Sequence, residues 1–360
     1  MKKSLVIVGG GFVGATVAKG LQSSMDVTLV EPRSHFVHAP AMIRGLVDPS
    51  VDDAALIEYD GLLTEGSWTQ ASATAVDGSG VTLDDGRRVD ADFVVIATGS
   101  SNGVFTPVGA SLDEFRSVRQ RVHERLRTAG RVVIIGAGAV GIELAGEIAH
   151  ALPSIDVTLV TSGTTLLPEA PAKLGRMLNR KLDDMGVELL LGSRVEELPR
   201  STEPGSGPVR LDDGRTLDAD VVVATIGARP NTDLLSSLPG ATTTPGGRIE
   251  VDRYLRPSQH PNVFAGGDAI DAGDAMTVFA TTRHEAWLRK AISSLAGGRQ
   301  LDRIKPYDAA KRAPLIVPLG PDRGASYLMV ATFGDRITRA AKGRDLQIPK
   351  WRKILGATGS

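Results

Sequence analysis

A glycine-rich turn that occurs twice constrains this chain more than any other feature. Gly9-Gly10-Gly11-Phe12-Val13-Gly14 closes the apolar run Leu5-Val6-Ile7-Val8. Gly136-Ala137-Gly138-Ala139-Val140-Gly141 closes Val132-Val133-Ile134-Ile135 in the same way. Each reads as a strand, a G-x-G-x-x-G turn and the start of a helix. The first glycine permits the tight turn, the second lets a pyrophosphate approach the backbone, and the third lets the helix pack on the strand. One copy is a weak signal. Two copies predict two dinucleotides in one polypeptide, and therefore electron transfer between them.

The duplication extends beyond the turns. Val27-Thr28-Leu29-Val30 recurs as Val157-Thr158-Leu159-Val160, and Asp84 to Gly99 aligns without gaps to Asp212 to Gly227, with ten of sixteen positions identical. In both copies Asp-Asp-Gly predicts a hairpin turn and the following Val-rich run a buried strand that ends at a glycine. A helix is expected over about 171–185, stopped by Gly186 and followed by a strand at 187–191. The turn-rich 201–208 segment reads as a mobile hairpin tip.

The two turns are expected to hold different dinucleotides. Glu31 ends the second strand, about 20 positions past the first turn, where a carboxylate accepts hydrogen bonds from an adenosine ribose. Thr161 holds the matching place in the second copy, and residues 161–165 contain no Lys or Arg for a 2′-phosphate. Weak discrimination between NADH and NADPH follows. Asn262-Val263-Phe264-Ala265-Gly266-Gly267-Asp268 reads as an apolar strand ending in Gly-Asp and leading into a helix. That arrangement puts Asp268 beside a ribityl chain and the helix's positive end near an isoalloxazine. Gly9, Gly10, Gly11, Phe12, Gly14, Glu31, Thr98, Gly99, Gly267 and Asp268 are thus assigned to FAD. Gly136, Gly138, Gly141, Thr161 and Gly227 are assigned to NADH or NADPH as co-substrate.

The expected fold class is α/β: two Rossmann-like dinucleotide-binding domains of the glutathione-reductase type plus a small C-terminal α+β domain. The boundaries are drawn at 1–104 with 246–300 for FAD, 105–245 for NAD(P)H, and 301–360 for the C-terminal domain.

Composition removes several alternatives. The chain has no cysteine, which excludes disulfides, thiolate metal sites and a redox-active thiol pair. A net charge of −1 and 4% aromatic residues give no support for nucleic-acid binding. His35 and His38 lack carboxylates nearby, so no metal site is expected, and His38 is placed on the flavin side. His284 and Glu285 are expected on the helix after Gly-Asp in a structural role. No apolar run approaches the roughly 18 residues of a membrane span, and the N-terminal apolar segment is too short for a signal peptide. A cytoplasmic location is the expectation. Residues 323–353 carry a charge of +6, however, against −7 for the rest. Ile348-Pro349-Lys350-Trp351-Arg352-Lys353-Ile354-Leu355 suits a membrane interface, a dimer contact or docking on the FAD domain equally well.

The chain resembles the ferroptosis-suppressor (AMID-like) branch of the apoptosis-inducing-factor family, close to type II NADH dehydrogenases. The resemblance covers essentially the whole sequence. It is carried by Val6 to Phe12, by Phe36, His38 and Arg44, by Gly141 to Ile148, by Val263 to Asp268 and by Lys342-Gly343-Arg344-Asp345-Leu346. It implies an FAD-dependent NAD(P)H:quinone oxidoreductase working at a membrane surface, here without the lipidation glycine at position 2. It further implies that Arg44 and the backbone near Ala73 touch FAD, that Glu143 lies beside the nicotinamide and flavin, and that Lys342 approaches and pairs with Glu143. Glu143 and Lys342 are the catalytic candidates. Two alternatives remain open: single-electron reduction of a small rubredoxin- or ferredoxin-type carrier, and an NADH-sensing flavoprotein with slow turnover. Monomer and homodimer are both compatible with the sequence.

Overall fold

The computed structural model describes residues 1–198, 204–257 and 259–357. Strands β1 (Ser4–Val8), β2 (Asp26–Val30), β3 (Ser67–Thr69) and β4 (Phe93–Ile96) enter one parallel sheet, with α1 (Phe12–Leu21) joining β1 to β2 and α2 (Ala39–Gly45) preceding β3. Helix α3 (Leu112–Thr128) leads to a second parallel sheet of β5 (Arg131–Ile135), β6 (Asp156–Thr161), β7 (Glu188–Leu191) and β8 (Val221–Ala224). Helix α4 (Ala139–Ala151) joins β5 to β6, and α5 (Ala172–Asp183) joins β6 to β7. The chain then returns to the first sheet through β9 (Val263–Ala265), giving the order β9-β4-β1-β2-β3, and continues into α6 (Val278–Ala296). The second sheet has the order β7-β6-β5-β8.

Both sheets are buried on both faces, which is why β1 and β5 are nearly continuous apolar runs rather than alternating ones. Helices α1 and α6 pack together, and a three-stranded antiparallel sheet (73–77, 80–83, 88–90) supplies Val76, Val81 and Leu83 to the same core. The Asp-Asp-Gly turns form as expected. Gly86 and Gly214 take φ of 83° and 86°, and each donates its N–H to the carbonyl three residues back, at 3.0 Å.

Three details differ from expectation. Helix α6 does not follow Asp268 directly: a short strand at Ile270–Asp271 and a turn at Gly273 intervene, and the helix begins at Val278 behind the N-cap Thr277, whose hydroxyl accepts the Ala280 N–H. Residues 301–357 have no core of their own. Val317, Leu319, Ala325 and Tyr327 from β10 (Leu315–Leu319) and β11 (Arg323–Tyr327) join the core of the second sheet, while Trp351 and Leu355 from α7 (Ile348–Leu355) join that of the first. So the apolar face of α7 packs into the core of the first sheet, while Lys350 and Lys353 stay exposed. Of the 201–208 segment, 201–203 fall outside the described residues, and from Pro204 the chain is pinned. Gly205 exchanges main-chain hydrogen bonds with Val222, and Arg125 reaches the carbonyls of Pro204 and Gly205 at 2.6 Å.

The contact between α4 and β10 depends on Gly146, where an added Cβ would lie 2.6 Å from the Leu319 Cα. Gly146→Val should therefore lose about 1–3 kcal/mol through overpacking. Urea unfolding measures it, and an unchanged midpoint would show that this contact is not close.

Candidate functional site

The two glycine turns are built alike. Gly9 takes φ +101° and Gly136 φ +108°, a region where a side chain is strained, and a Cβ on Gly14 or Gly141 would strike the carbonyl of Gly9 or Gly136. Gly11 and Gly138 are the N-cap residues of α1 and α4. Neither helix has a side-chain cap or an acidic residue in its first turn. Nothing stands within 4 Å of where a Cβ on Gly11 or Gly138 would be. Each helix thus offers uncapped N–H groups and its positive end to open space, which is what an anionic pyrophosphate requires.

Glu31 is buried and clasps the first turn. Its Oε2 accepts the Gly10 N–H at 2.7 Å, while Oε1 accepts the Arg33 backbone N–H at 3.0 Å and its Nε–H at 2.7 Å. A carboxylate has roughly four acceptor positions, so one is left for a ribose hydroxyl. Gly9, Glu31, Ala73 and Thr98 line one cavity of about 450 Å³, together with Arg33, Ser101 and Asn231. Four of the residues expected to hold FAD thus line one cavity.

Thr98 and Gly99 also form the seam between the two halves. Asn231 donates its main-chain N–H to the Gly99 carbonyl at 2.9 Å and its side-chain N–H to the Thr98 carbonyl at 3.0 Å, and the Thr98 hydroxyl donates to the Asn231 carbonyl at 2.6 Å. Gly227 sits four residues before Asn231, in the stretch that leads from β8 into the short strand Arg229–Pro230 paired with Ser100–Ser101. Gly267 and Asp268 reach the same place, because the Ser100 hydroxyl donates to Asp268 Oδ2 at 3.2 Å. Burial raises the Asp268 pKa above the ordinary carboxylate value. Thr161 ends β6, and its hydroxyl accepts the Gly163 N–H at 3.2 Å. Folding brings Arg215 near that turn through Ser193, but Asp213 holds the guanidinium at 2.7 Å and offsets its charge.

Glu143 projects from the second turn of α4, two residues after Gly141, and is 4% exposed. Lys342 Nζ lies 2.7 Å from both of its carboxylate oxygens, across 199 positions of sequence. Burial pushes the Glu143 carboxyl up to about 7; the Lys342 ammonium opposes that shift without cancelling it. One helical turn on, Glu147 accepts a bidentate pair from Arg44, with Nε and Nη2 each at 2.9 Å, and Arg44 Nη1 donates to the Gly343 carbonyl at 2.8 Å. Arg44 thus places three of its five N–H donors on Glu147 and Gly343. Sequence reading missed this pair because Glu147 carries no local signal beyond its i,i+4 spacing from Glu143.

Phe12 leads the first turn into an aromatic cluster, with ring centroids 5.0 Å from Phe36, 5.8 Å from His38 and 4.6 Å from Trp351. His38 Nε2 meets the Leu346 carbonyl at 2.7 Å, and burial lowers the imidazole pKa to about 4, with the nearby Lys342 charge adding to the shift. His38 Nδ1 and Trp351 Nε1 are buried with no hydrogen-bond partner among the described residues. The cluster therefore holds polar capacity that the protein does not use.

Residues 3–289 match the family model described as pyridine nucleotide-disulphide oxidoreductase. The chain belongs to this family. Apoptosis-inducing factor homolog B of Dictyostelium discoideum is 28% identical over 97% of this chain and 96% of its own length. Human ferroptosis suppressor protein 1 is 27% identical over 97% of this chain and 95% of its own length. Among solved structures, the sulfide:quinone oxidoreductase of Aquifex aeolicus superposes with a TM-score of 0.79 at 15% identity, over 98% of this chain and 92% of that one. As a family member the chain is an FAD-dependent oxidoreductase that uses NAD(P)H. With no cysteine, it lacks the disulfide chemistry in the family's name. No helix among the described residues is long and apolar enough to cross a membrane.

Removing the ammonium from the buried pair gives a pH-dependent cost. Lys342→Met should destabilise the protein by up to about 3–5 kcal/mol at pH 8, where the buried Glu143, without the ammonium that opposes its upward shift, must either bear an unpaired charge or take up a proton from alkaline solvent. At pH 6 the loss should be smaller, since Glu143 can take up a proton there. Urea unfolding at the two pH values checks the sign; an equal loss at both would show that Glu143 does not titrate between them.

Proposed function

We propose that this chain is an NAD(P)H:quinone oxidoreductase. The observation that carries the proposal is the Glu143–Lys342 pair: a buried carboxyl that titrates near neutral pH, at the helix terminus of the second glycine turn. Reducing a quinone to a quinol takes two electrons and two protons. FAD, when bound, supplies the ring that accepts a hydride from NAD(P)H and hands electrons on. Everything else falls to the protein's own side chains.

In this reading residues 1–104 and 246–300 form the FAD-binding unit and 105–245 the NAD(P)H-binding unit. The N–H groups at Gly11, Phe12 and Gly14 hold the FAD pyrophosphate, Glu31 the adenosine ribose and Asp268 the ribityl chain. Gly136, Gly138 and Gly141 hold the NAD(P)H pyrophosphate, with Thr161 at its ribose and Gly227 beside it. Glu143 carries a proton on its carboxyl oxygen below about pH 7 and can release it to a developing quinol oxygen, while Lys342 Nζ steadies the carboxylate left behind. Arg44 fixes α4 through Glu147, so the helix bearing Glu143 is held in place. The name of the structurally similar sulfide:quinone oxidoreductase supports a quinone acceptor on this fold. The absence of thiols excludes the disulfide alternative.

Holoprotein reduced anaerobically with NADH should be reoxidised by ubiquinone, menaquinone or naphthoquinone analogues, and if none acts faster than dioxygen the acceptor assignment fails. The quinone step should slow as pH rises through about 7, where Glu143 loses its proton. Glu143→Gln should lower that rate by about 10²-fold or more and remove the pH dependence, while NADH still reduces the flavin.

The Thr161 turn carries neither an acid for the 2′-hydroxyl nor an unpaired cation for a 2′-phosphate. Values of kcat/KM for NADH and NADPH should accordingly lie within about a hundredfold, roughly 2.7 kcal/mol. A wider ratio would mean that a residue outside this turn reads the 2′ position.

A further inference from the structure

Beneath the Gly266-Gly267-Asp268 turn runs a buried polar chain that the chemistry above does not use. His284 projects from α6 and is 1% exposed. Its Nδ1 lies 3.1 Å from the Gly267 main-chain nitrogen and its Nε2 3.3 Å from Asp274 Oδ2. Asp274 is itself buried: its Oδ2 also accepts the Tyr307 hydroxyl at 2.6 Å, and its Oδ1 accepts the Ala310 N–H at 2.9 Å. The charged groups around the imidazole are Asp274, Arg248 and Arg283, with Tyr307 at 5.1 Å between ring centroids.

The chemistry of these atoms admits one arrangement. The Gly267 amide can only donate, so Nδ1 must present its lone pair. The Asp274 carboxylate can only accept, so Nε2 must carry the proton. Burial lowers the His284 pKa against the pull of Asp274, which favours this neutral form. Gly267 takes φ +86°, and a Cβ on neighbouring Gly266 would lie 2.9 Å from Leu288 and 3.1 Å from Val13, so the turn is wedged between α6 and α1. The histidine fixes the direction of the Gly266–Gly267 peptide, one peptide before the one that leads into Asp268.

We propose that Asp274 and His284 are positioning residues for flavin binding: Asp274 selects the Nε2–H tautomer of His284, and the free Nδ1 orients the Gly267 peptide so that Asp268 faces the cofactor. This rests on the reading that FAD sits at this turn. Reversing the tautomer, or protonating Nδ1 in acid, would set two donors against each other and release the turn.

The test uses the full-length flavin holoprotein and three variants: Asp274→Asn, His284→Asn and the double substitution. Asp274→Asn removes the acceptor that selects the tautomer. Its flavin dissociation constant should rise about tenfold, equivalent to 1.4 kcal/mol, and the ¹⁵N signals of His284 should move to the Nδ1–H form. His284→Asn places an amide oxygen where Nδ1 stood; affinity should stay within about threefold of wild type, and acidification should no longer release flavin at the wild-type midpoint. On that background Asp274→Asn should cost little. An equal cost on both backgrounds, or a wild-type ¹⁵N spectrum showing Nδ1 protonated, overturns the proposal. Should Asp274→Asn fail to fold, His284→Leu against His284→Asn asks the same question: equal flavin affinities in those two would also overturn it. A wild-type chain that takes up no flavin would sink the functional reading instead, and the tautomer would still be legible in the spectrum.

Discussion

Two buried ion pairs on one face of α4 hold the working parts of this protein in register. Glu143 takes Lys342 from the C-terminal segment, and Glu147, one turn on, takes Arg44 from α2 of the first half. Arg44 closes the loop by reaching the Gly343 carbonyl, so three distant stretches of chain meet on about 6 Å of helix axis, at about 1.5 Å per residue. Such pairs are not a generous source of stability, since desolvation offsets most of their attraction. What they provide is geometry: breaking either one leaves an uncompensated charge in the interior, so alternative packings of the C-terminal segment are penalised.

That geometry also sets the proton chemistry. Glu143 and Glu147 are both carboxylates on α4, four positions apart and both buried. Glu147 has a bidentate guanidinium, which is planar, permanently charged and matched to both oxygens. Glu143 has an ammonium, a point charge on a flexible stem. For Glu143 burial outweighs its partner and brings the carboxyl to about 7. The polar capacity nearby belongs to the same region: Lys342 also acts electrostatically on His38, which packs with Phe12 at the start of α1. A proton-holding group, an uncapped helix terminus and an aromatic cluster are therefore linked through one segment, 339–347.

Much of the fold was legible because its signals are local. Apolar runs bounded by glycine turns gave both parallel sheets, and the internal repeat gave their common plan. The Asp-Asp-Gly hairpins formed as turn chemistry requires. Legibility failed where long-range packing decides. The helix after Asp268 starts nearly ten residues later than the motif suggests, because the chain first adds a strand beside residues 249–250. The apolar face of α7 could have met lipid, a second copy or the first domain; only the assembled core shows Trp351 packed against Phe12 and Phe36. The C-terminal segment read as a third domain because it holds several hydrophobic stretches, yet these fill two cores that belong to other parts of the chain.

What the sequence determined by itself is the pair of dinucleotide turns, their strands and the exclusion of thiol chemistry, because these follow from backbone sterics, side-chain period and composition. What the tertiary structure decided is which charged groups face each other. Glu143 finds Lys342 across 199 positions, Arg44 finds Glu147 across 103, and His284 finds Gly267 and Asp274. A buried charge or imidazole has no preferred partner in the linear chain. Its partner is selected by the cost of leaving it unpaired in a low-dielectric interior, and that cost exists only once the interior has formed.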